Sequence, residues 1–154
     1  MGNYTIQRVS SMITVNVVAV LLRQADTDEV TRMGYKNGFE AVLESVRSSS
    51  DDCYIVHDKI TMTPFCIFGV SLTTGVTPAP WLLCTDKINT HKRGLLKKAR
   101  PIIDAFKDKY KHLSNYVSID NDNAIKFIHH LGFEFGSIVN FNGNKFINFT
   151  MEKK

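Results

Sequence analysis

A chain of 154 residues with 44% hydrophobic and 22% charged side chains is long enough and apolar enough to bury a core without staples. Its three cysteines, Cys53, Cys66 and Cys84, are odd in number and far apart, with no C-x-x-C pair. That excludes a disulfide or zinc framework and points to reduced, buried thiols, with no metal site expected. The net charge of +4 fits a phosphate-bearing ligand, although a solvated basic surface is its commoner cause.

In chain order, Tyr4 to Val9 alternates and is rich in strand formers, so it reads as a first strand. Met12 to Leu22 is the most apolar run. It is about half the roughly 20 residues a spanning helix requires, and Asn16 interrupts it, so a buried element is expected and no membrane partner. Ser10 or Ser11 can cap a helix here, with Ile13, Val17, Val20 and Leu21 as its apolar face; its valines suit a strand equally well. Asp26-Thr-Asp-Glu29 is an acidic helix start, favourable to the dipole, and Gly34 stops that helix. Phe39, Val42, Leu43 and Val46 carry a stripe through a further helix ending in Arg47–Ser50.

Asp52–His57 and Ile60–Leu72 read as antiparallel strands around a tight Asp58-Lys59 turn, with Pro64 demanding an edge or a bulge. Residues 73–78 form a loop, and Trp81–Thr85 is an apolar run expected as a fully buried central strand. A basic helix follows from about His91 to Tyr110, with Ile102, Ile103 and Phe106 inward and Pro101 kinking or restarting it. Tyr116–Ile119 is another buried strand. From Asn121 to Phe133, Ala124, Phe127, Ile128 and Leu131 fall at helical spacing, with Asp120 or Asn121 as the cap and Gly132 as the stop. Phe133–Phe141 and Lys145–Met151 close the chain as a hairpin through Asn142-Gly143. The order is strand, helices, three strands, helix, strand, helix, two strands, an α+β layered sheet.

The spacing of Asn121, Ala124, Gly132 and Phe133 resembles the C-terminal motif of GNAT (GCN5-related) N-acetyltransferases. With Pro80-Trp-Leu-Leu83, Thr85-Asp86, Leu113–Val117 and Phe146–Phe149, the chain from about Ala25 onward resembles GNAT-like proteins of short-tailed phages, described as internal virion proteins or acetyltransferases. The resemblance implies one GNAT-like domain over 1–154: a mixed, mostly antiparallel central sheet of about six or seven strands flanked by about four or five helices. It also decides for a helix over Met12–Leu22.

For function, the resemblance implies acetyl-CoA as cofactor, with contacts from Leu83, Cys84, Lys92, Arg93, Gly94, Leu95, Lys97 and Asn121. In the family, glycines where the fourth strand enters the long helix let backbone N–H groups wrap the pyrophosphate. The usual pattern is Arg or Gln, a glycine three on, and Gly or Ala five on. Starting at Arg93 puts Leu96 and Lys98 at the small positions; starting at His91 places Gly94 correctly but leaves Leu96. Lys87, Lys92, Arg93, Lys97, Lys98 and Arg100 make a dense basic helix start that is either able to meet phosphates in place of the glycines or simply a solvated helix face, the commoner case. No aromatic interleaves them, so nucleic acid is not expected. The family's thiolate-protonating tyrosine position, seven after Asn121, holds Ile128. Asp86 and Asp120, ending adjacent strands, are the carboxylates placed to act as a base, although capping is the commoner job for each. Trp81 and Tyr116 are expected in the core, and Cys84 as an inert thiol. Two functions follow: an acyl-CoA-dependent N-acetyltransferase with a degenerate cofactor loop, or a non-catalytic GNAT-fold protein binding a host or virion protein. The location implied is the host cell cytoplasm or the virion.

Overall fold

The structure, a computed structural model, describes residues 4–49, 51–73 and 77–154. Residues 74–76 of the loop expected over 73–78, and the last serine of Arg47–Ser50, lie outside them. Among the described residues seven strands and five α-helices follow in the order β1 (Tyr4–Arg8), α1 (Met12–Val20), α2 (Gln24–Arg32), α3 (Gly38–Ser48), β2 (Cys53–Asp58), β3 (Pro64–Ser71), β4 (Ala79–Cys84), α4 (Lys92–Tyr110), β5 (His112–Ser118), α5 (Asp122–His130), β6 (Glu134–Phe141) and β7 (Asn144–Glu152). The strands form two antiparallel sheets, β1-β2-β3-β4 and β5-β7-β6. β4 and β5 run side by side in the same direction, joined at one end where the Ser114 N–H donates to the Pro78 carbonyl at 3.0 Å. The Asn115 amide adds a bond to the Pro80 carbonyl at 2.7 Å. Beyond these bonds the strands part.

Strand alternation divides the core between the two faces of the first sheet. Val56, Cys66, Phe68, Val70 and Cys84 face α4 through Leu95, Ala99, Ile103 and Phe106. Cys53, Ile55, Ile67 and Leu83 face α1 and α3 through Val15, Val18, Ala41 and Val42. β3 is therefore covered on both sides, which is why Phe65 to Val70 reads as an unbroken buried run. Each fully buried Ile, Val or Phe there contributes about 1.5–3 kcal/mol relative to exposure. Pro64 sits at the end of β3 beside a bulge: Val56 pairs with Cys66 and His57 with Pro64, leaving Phe65 over.

Four expectations are corrected. Ile13, Val20 and Leu21 are the outer side of α1, at 77%, 75% and 54% exposure, and its inner side is Val15, Val18 and Ala19. Helical periodicity could not orient this segment, because nearly every position is apolar. The Asp58-Lys59 turn is a longer connection over 59–63, in which the Asp58 carboxylate accepts the N–H groups of Ile60 (2.8 Å) and Thr61 (3.1 Å). Those amides hold its carboxyl down to about 2. Helix α4 runs through Pro101 without restarting, the proline lying on its exposed side. Neither gap-flanking strand is fully buried: Trp81 and Leu82 are half-buried and Tyr116 is 42% exposed. At the chain end, Gly132 has φ +99° and Asn142-Gly143 has φ +52° and +79°, the left-handed pair a two-residue hairpin requires.

Candidate functional site between two parted strands

The parting of β4 and β5 leaves a cavity of about 280 Å³ floored by Leu95, Ala99 and Ile103 of α4 and walled by Ala124, Phe127 and Ile128 of α5. This explains why the apolar stripe of α5 is only partly buried although it packs against the core. Trp81 and Tyr116, expected in the core, both line the cavity. The Trp81 indole also donates to the Ser49 hydroxyl at 2.7 Å and packs against the second core cluster.

Helix α2 closes the open end with two carboxylates one turn apart. Asp26 Oδ2 accepts the Cys84 N–H at the end of β4 at 2.8 Å. Its Oδ1 lies 3.0 Å from Arg23 Nη2, both side chains nearly buried. Glu29 Oε1 accepts the Ser118 N–H at the end of β5 at 2.9 Å. The Asn121 amide donates to the same oxygen at 3.2 Å, while Asn121 Oδ1 caps α5 by accepting the Ala124 N–H at 3.3 Å. Glu29 lines the cavity, and its second oxygen takes no donor among the described residues. Burial pushes both carboxyls upward, against the pull of Arg23 on Asp26 and of the Ser118 N–H on Glu29. Arg23 Nε is buried and has no hydrogen-bond partner among the described residues.

Arg23, Asp26 and Glu29 are the site residues sequence reading missed. The signal was present: Asp26 and Glu29 stand three apart on one helical face. A dipole explanation was sufficient without a cavity, so nothing in the sequence singled them out.

The residues named from sequence divide into two groups. Leu83, Cys84, Lys92, Leu95 and Asn121 line the cavity; Asp86, Arg93, Gly94, Lys97 and Asp120 do not. Asp86 is exposed at the start of a 3₁₀ helix spanning Asp86–Thr90, and the Asp120 carboxylate is 74% exposed, 4.0 Å from Arg32. Arg93 and Lys97 are exposed on α4. Cys84 is wholly buried, its sulfur 3.2 Å from that of Cys66 on the paired strand.

The start of α4 does not form a glycine-lined phosphate cradle. The 3₁₀ helix runs straight into α4 at His91, which makes no side-chain cap. The Leu95 N–H is already donated to the His91 carbonyl at 2.9 Å. Gly94 faces inward: a Cβ there would meet Tyr4 Oη at 2.7 Å. His91 stacks on Phe65 at 4.9 Å and meets Tyr4 edge-on at 5.9 Å. The Asp58 carboxylate lies 3.4 Å from both His91 Nε2 and Lys87 Nζ, so the approach already carries an anion. What remains is a helix terminus with Gly94 as the only glycine in its first turn.

Sheet topology, the parted strands and the long helix between them define a GNAT-type acetyltransferase fold. The structure superposes on a ribosomal-protein-S5-alanine acetyltransferase from Vibrio fischeri with TM-score 0.68 at 13% identity, covering 99% of this chain and 94% of that one. It matches a chain of the NatC complex bound to Gag peptide and CoA with TM-score 0.70 at 12% identity, covering 100% of both. A GNAT-family acetyltransferase from Bacillus anthracis gives TM-score 0.66 at 10% identity, over 97% of this chain and 95% of that one. A family model described as "Bacteriophage T7, probable scaffold protein Gp13" matches residues 66–138. No curated protein matches the chain. No helix among the described residues is long and apolar enough to cross a membrane.

Proposed function

We propose that this chain is a phage protein in which a single acetyltransferase-type domain serves binding, in virion assembly or on a host factor, and not acetyl transfer. One observation supports the reading: Gly94, the only glycine between Thr85 and Leu131, faces Tyr4, where a Cβ would meet the hydroxyl at 2.7 Å, so packing accounts for this glycine without a pyrophosphate. The match of residues 66–138 to a phage scaffold family supports the setting, because that span holds both parted strands and the two helices beneath them. Arg93 and Lys97, named as cofactor contacts, act in this reading as exposed charges for an acidic partner surface. The protein then works in the host cytoplasm and enters particles as they form.

A second reading, an acetyl-CoA-dependent N-acetyltransferase, is favoured by Glu29, a carboxylate that lines the cavity between the parted strands. There Glu29 and Asp26, not Asp86 and Asp120, are the carboxylates near a reacting amine. Fold likeness alone does not choose between the two. Purifying particles at successive assembly stages tests the first reading: the chain should co-sediment with them at a fixed ratio. A chain found only free in the cytoplasm would overturn the virion-assembly form, and one that also retains no host protein on affinity purification would overturn the reading.

A further inference from the structure

The last long strand carries a surface that neither reading of the cavity uses. Among the described residues β6 is the outer strand of its sheet, with β7 as its only strand neighbour. Seven of its eight residues are exposed, among them Ile138 at 60%, Val139 at 37% and Phe141 at 49%. Glu134 is its only charge, and Phe135 to Phe141 holds no lysine or proline of the kind that keeps sheet edges apart.

The turn fixes which backbone groups point outward. Phe141 and Asn144 flank the two-residue Asn142-Gly143 turn and pair with each other, as do Val139 and Phe146 two residues on. Alternation then turns the N–H and C=O of Ile138 and Asn140 away from β7, toward open solvent. The bulge between Phe135 and Ile138 lies before this segment and leaves 138–141 in regular register.

We propose that β6 is a homodimer interface, in which two copies pair antiparallel about a two-fold axis at Val139 and join their three-stranded sheets into one of six strands. In that register Ile138 of each copy exchanges both backbone bonds with Asn140 of the other, so all four outward groups on each strand are satisfied. Val139 meets its own counterpart at the axis, covering exposed apolar surface on that face. A second copy fits better than a foreign strand because the segment is self-complementary and uncharged: the register repeats under the two-fold without opposing like charges. A single strand pair buries on the order of 1,000 Å² or less, so the dimer should be weak and concentration-dependent. The inference does not rest on the binding-only reading, since an active enzyme could dimerise in the same way.

The experiment combines sedimentation equilibrium of the full chain, from low to high micromolar concentration, with amide hydrogen exchange. The wild type should shift from monomer to dimer, and exchange at Ile138 and Asn140 should slow in step. Val139→Lys, which sets two ammonium groups against each other at the axis, should remain monomeric with an unchanged circular dichroism spectrum. A monomer at every concentration, a dimer that survives Val139→Lys in folded protein, or a dimer whose Ile138 and Asn140 amides exchange freely would each overturn the proposal. The exchange measurement on wild type needs no variant, so it decides the matter even where Val139→Lys does not fold.

Discussion

Gly94→Ala tests whether the glycine at the start of α4 exists for packing or for ligand approach. The added methyl would lie 2.7 Å from Tyr4 Oη, 3.0 Å from Cε1 and 3.3 Å from Cζ. Tyr4 is 2% exposed, and its ring is held by His91 and by Lys98 above it at 5.9 Å, so it has little room to yield. Overpacking of this kind costs about 1–3 kcal/mol. Alanine returns up to about 1 kcal/mol through its helix propensity over glycine. The net expectation is a loss of about 1 kcal/mol, read as a lower urea midpoint at unchanged slope. Tyr4→Phe removes the nearest atom but leaves the ring carbons close. The double variant should therefore recover part of the loss, with a coupling of about 0.5–1 kcal/mol. A Gly94→Ala protein as stable as wild type, with purely additive effects in the double variant, would refute the packing argument and return the glycine to a ligand-facing role.

Other outcomes follow from the same geometry. Gly132→Ala should lose about 1 kcal/mol or more, because φ is +99° and the space around a Cβ is otherwise ordinary, the nearest atoms being 3.7 and 3.8 Å away; thermal or urea unfolding checks it, and an unchanged midpoint would contradict it. Glu29→Gln should stabilise the protein increasingly as pH rises. The Glu29 carboxyl is raised by burial, so the stability linked to its proton is intact below the ordinary carboxylate range and is lost as pH climbs through its raised folded value. Glutamine can still accept the Ser118 N–H without that loss, and melting curves from acid to mildly alkaline pH should show the variant's advantage grow from near zero; an advantage that shrinks with pH would contradict the assignment.

How far the sequence could be read depended on whether local signals were one-sided. Gly132 and Asn142-Gly143 each have a single backbone solution, and the structure realises both, a left-handed stop and a hairpin turn; of the two cap candidates, Asp120 and Asn121, it uses Asn121. Pro64 left an edge or a bulge open, and the structure has the bulge. Met12 to Leu22 had no such asymmetry, since apolar residues on every side of a helix give no face, and Val15, Val18 and Ala19 were hidden among equals. The Asp58-Lys59 turn failed because Asp58 holds two backbone amides through its side chain, stretching the connection to 63. The cavity residues were legible only where a motif marked them. Asn121 was found, whereas its partner Glu29 lies 92 positions away and becomes visible only once α2 is laid across the ends of β4 and β5. Asp86 and Asp120 illustrate the converse: strand ends place backbones near the gap but do not aim side chains into it.

The central claim, that this scaffold has no working pyrophosphate site, is tested most directly by titrating acetyl-CoA into the purified full chain by calorimetry, with a parallel acetyl-transfer assay over a panel of amines. The account predicts a Kd weaker than about 100 μM, near −5.5 kcal/mol, and no acetyl transfer to any amine. Any residual heat should fade with added salt, as expected for a single phosphate held at an exposed basic helix terminus. Low-micromolar binding that is insensitive to salt and accompanied by acetyl transfer would contradict the account and establish the enzyme.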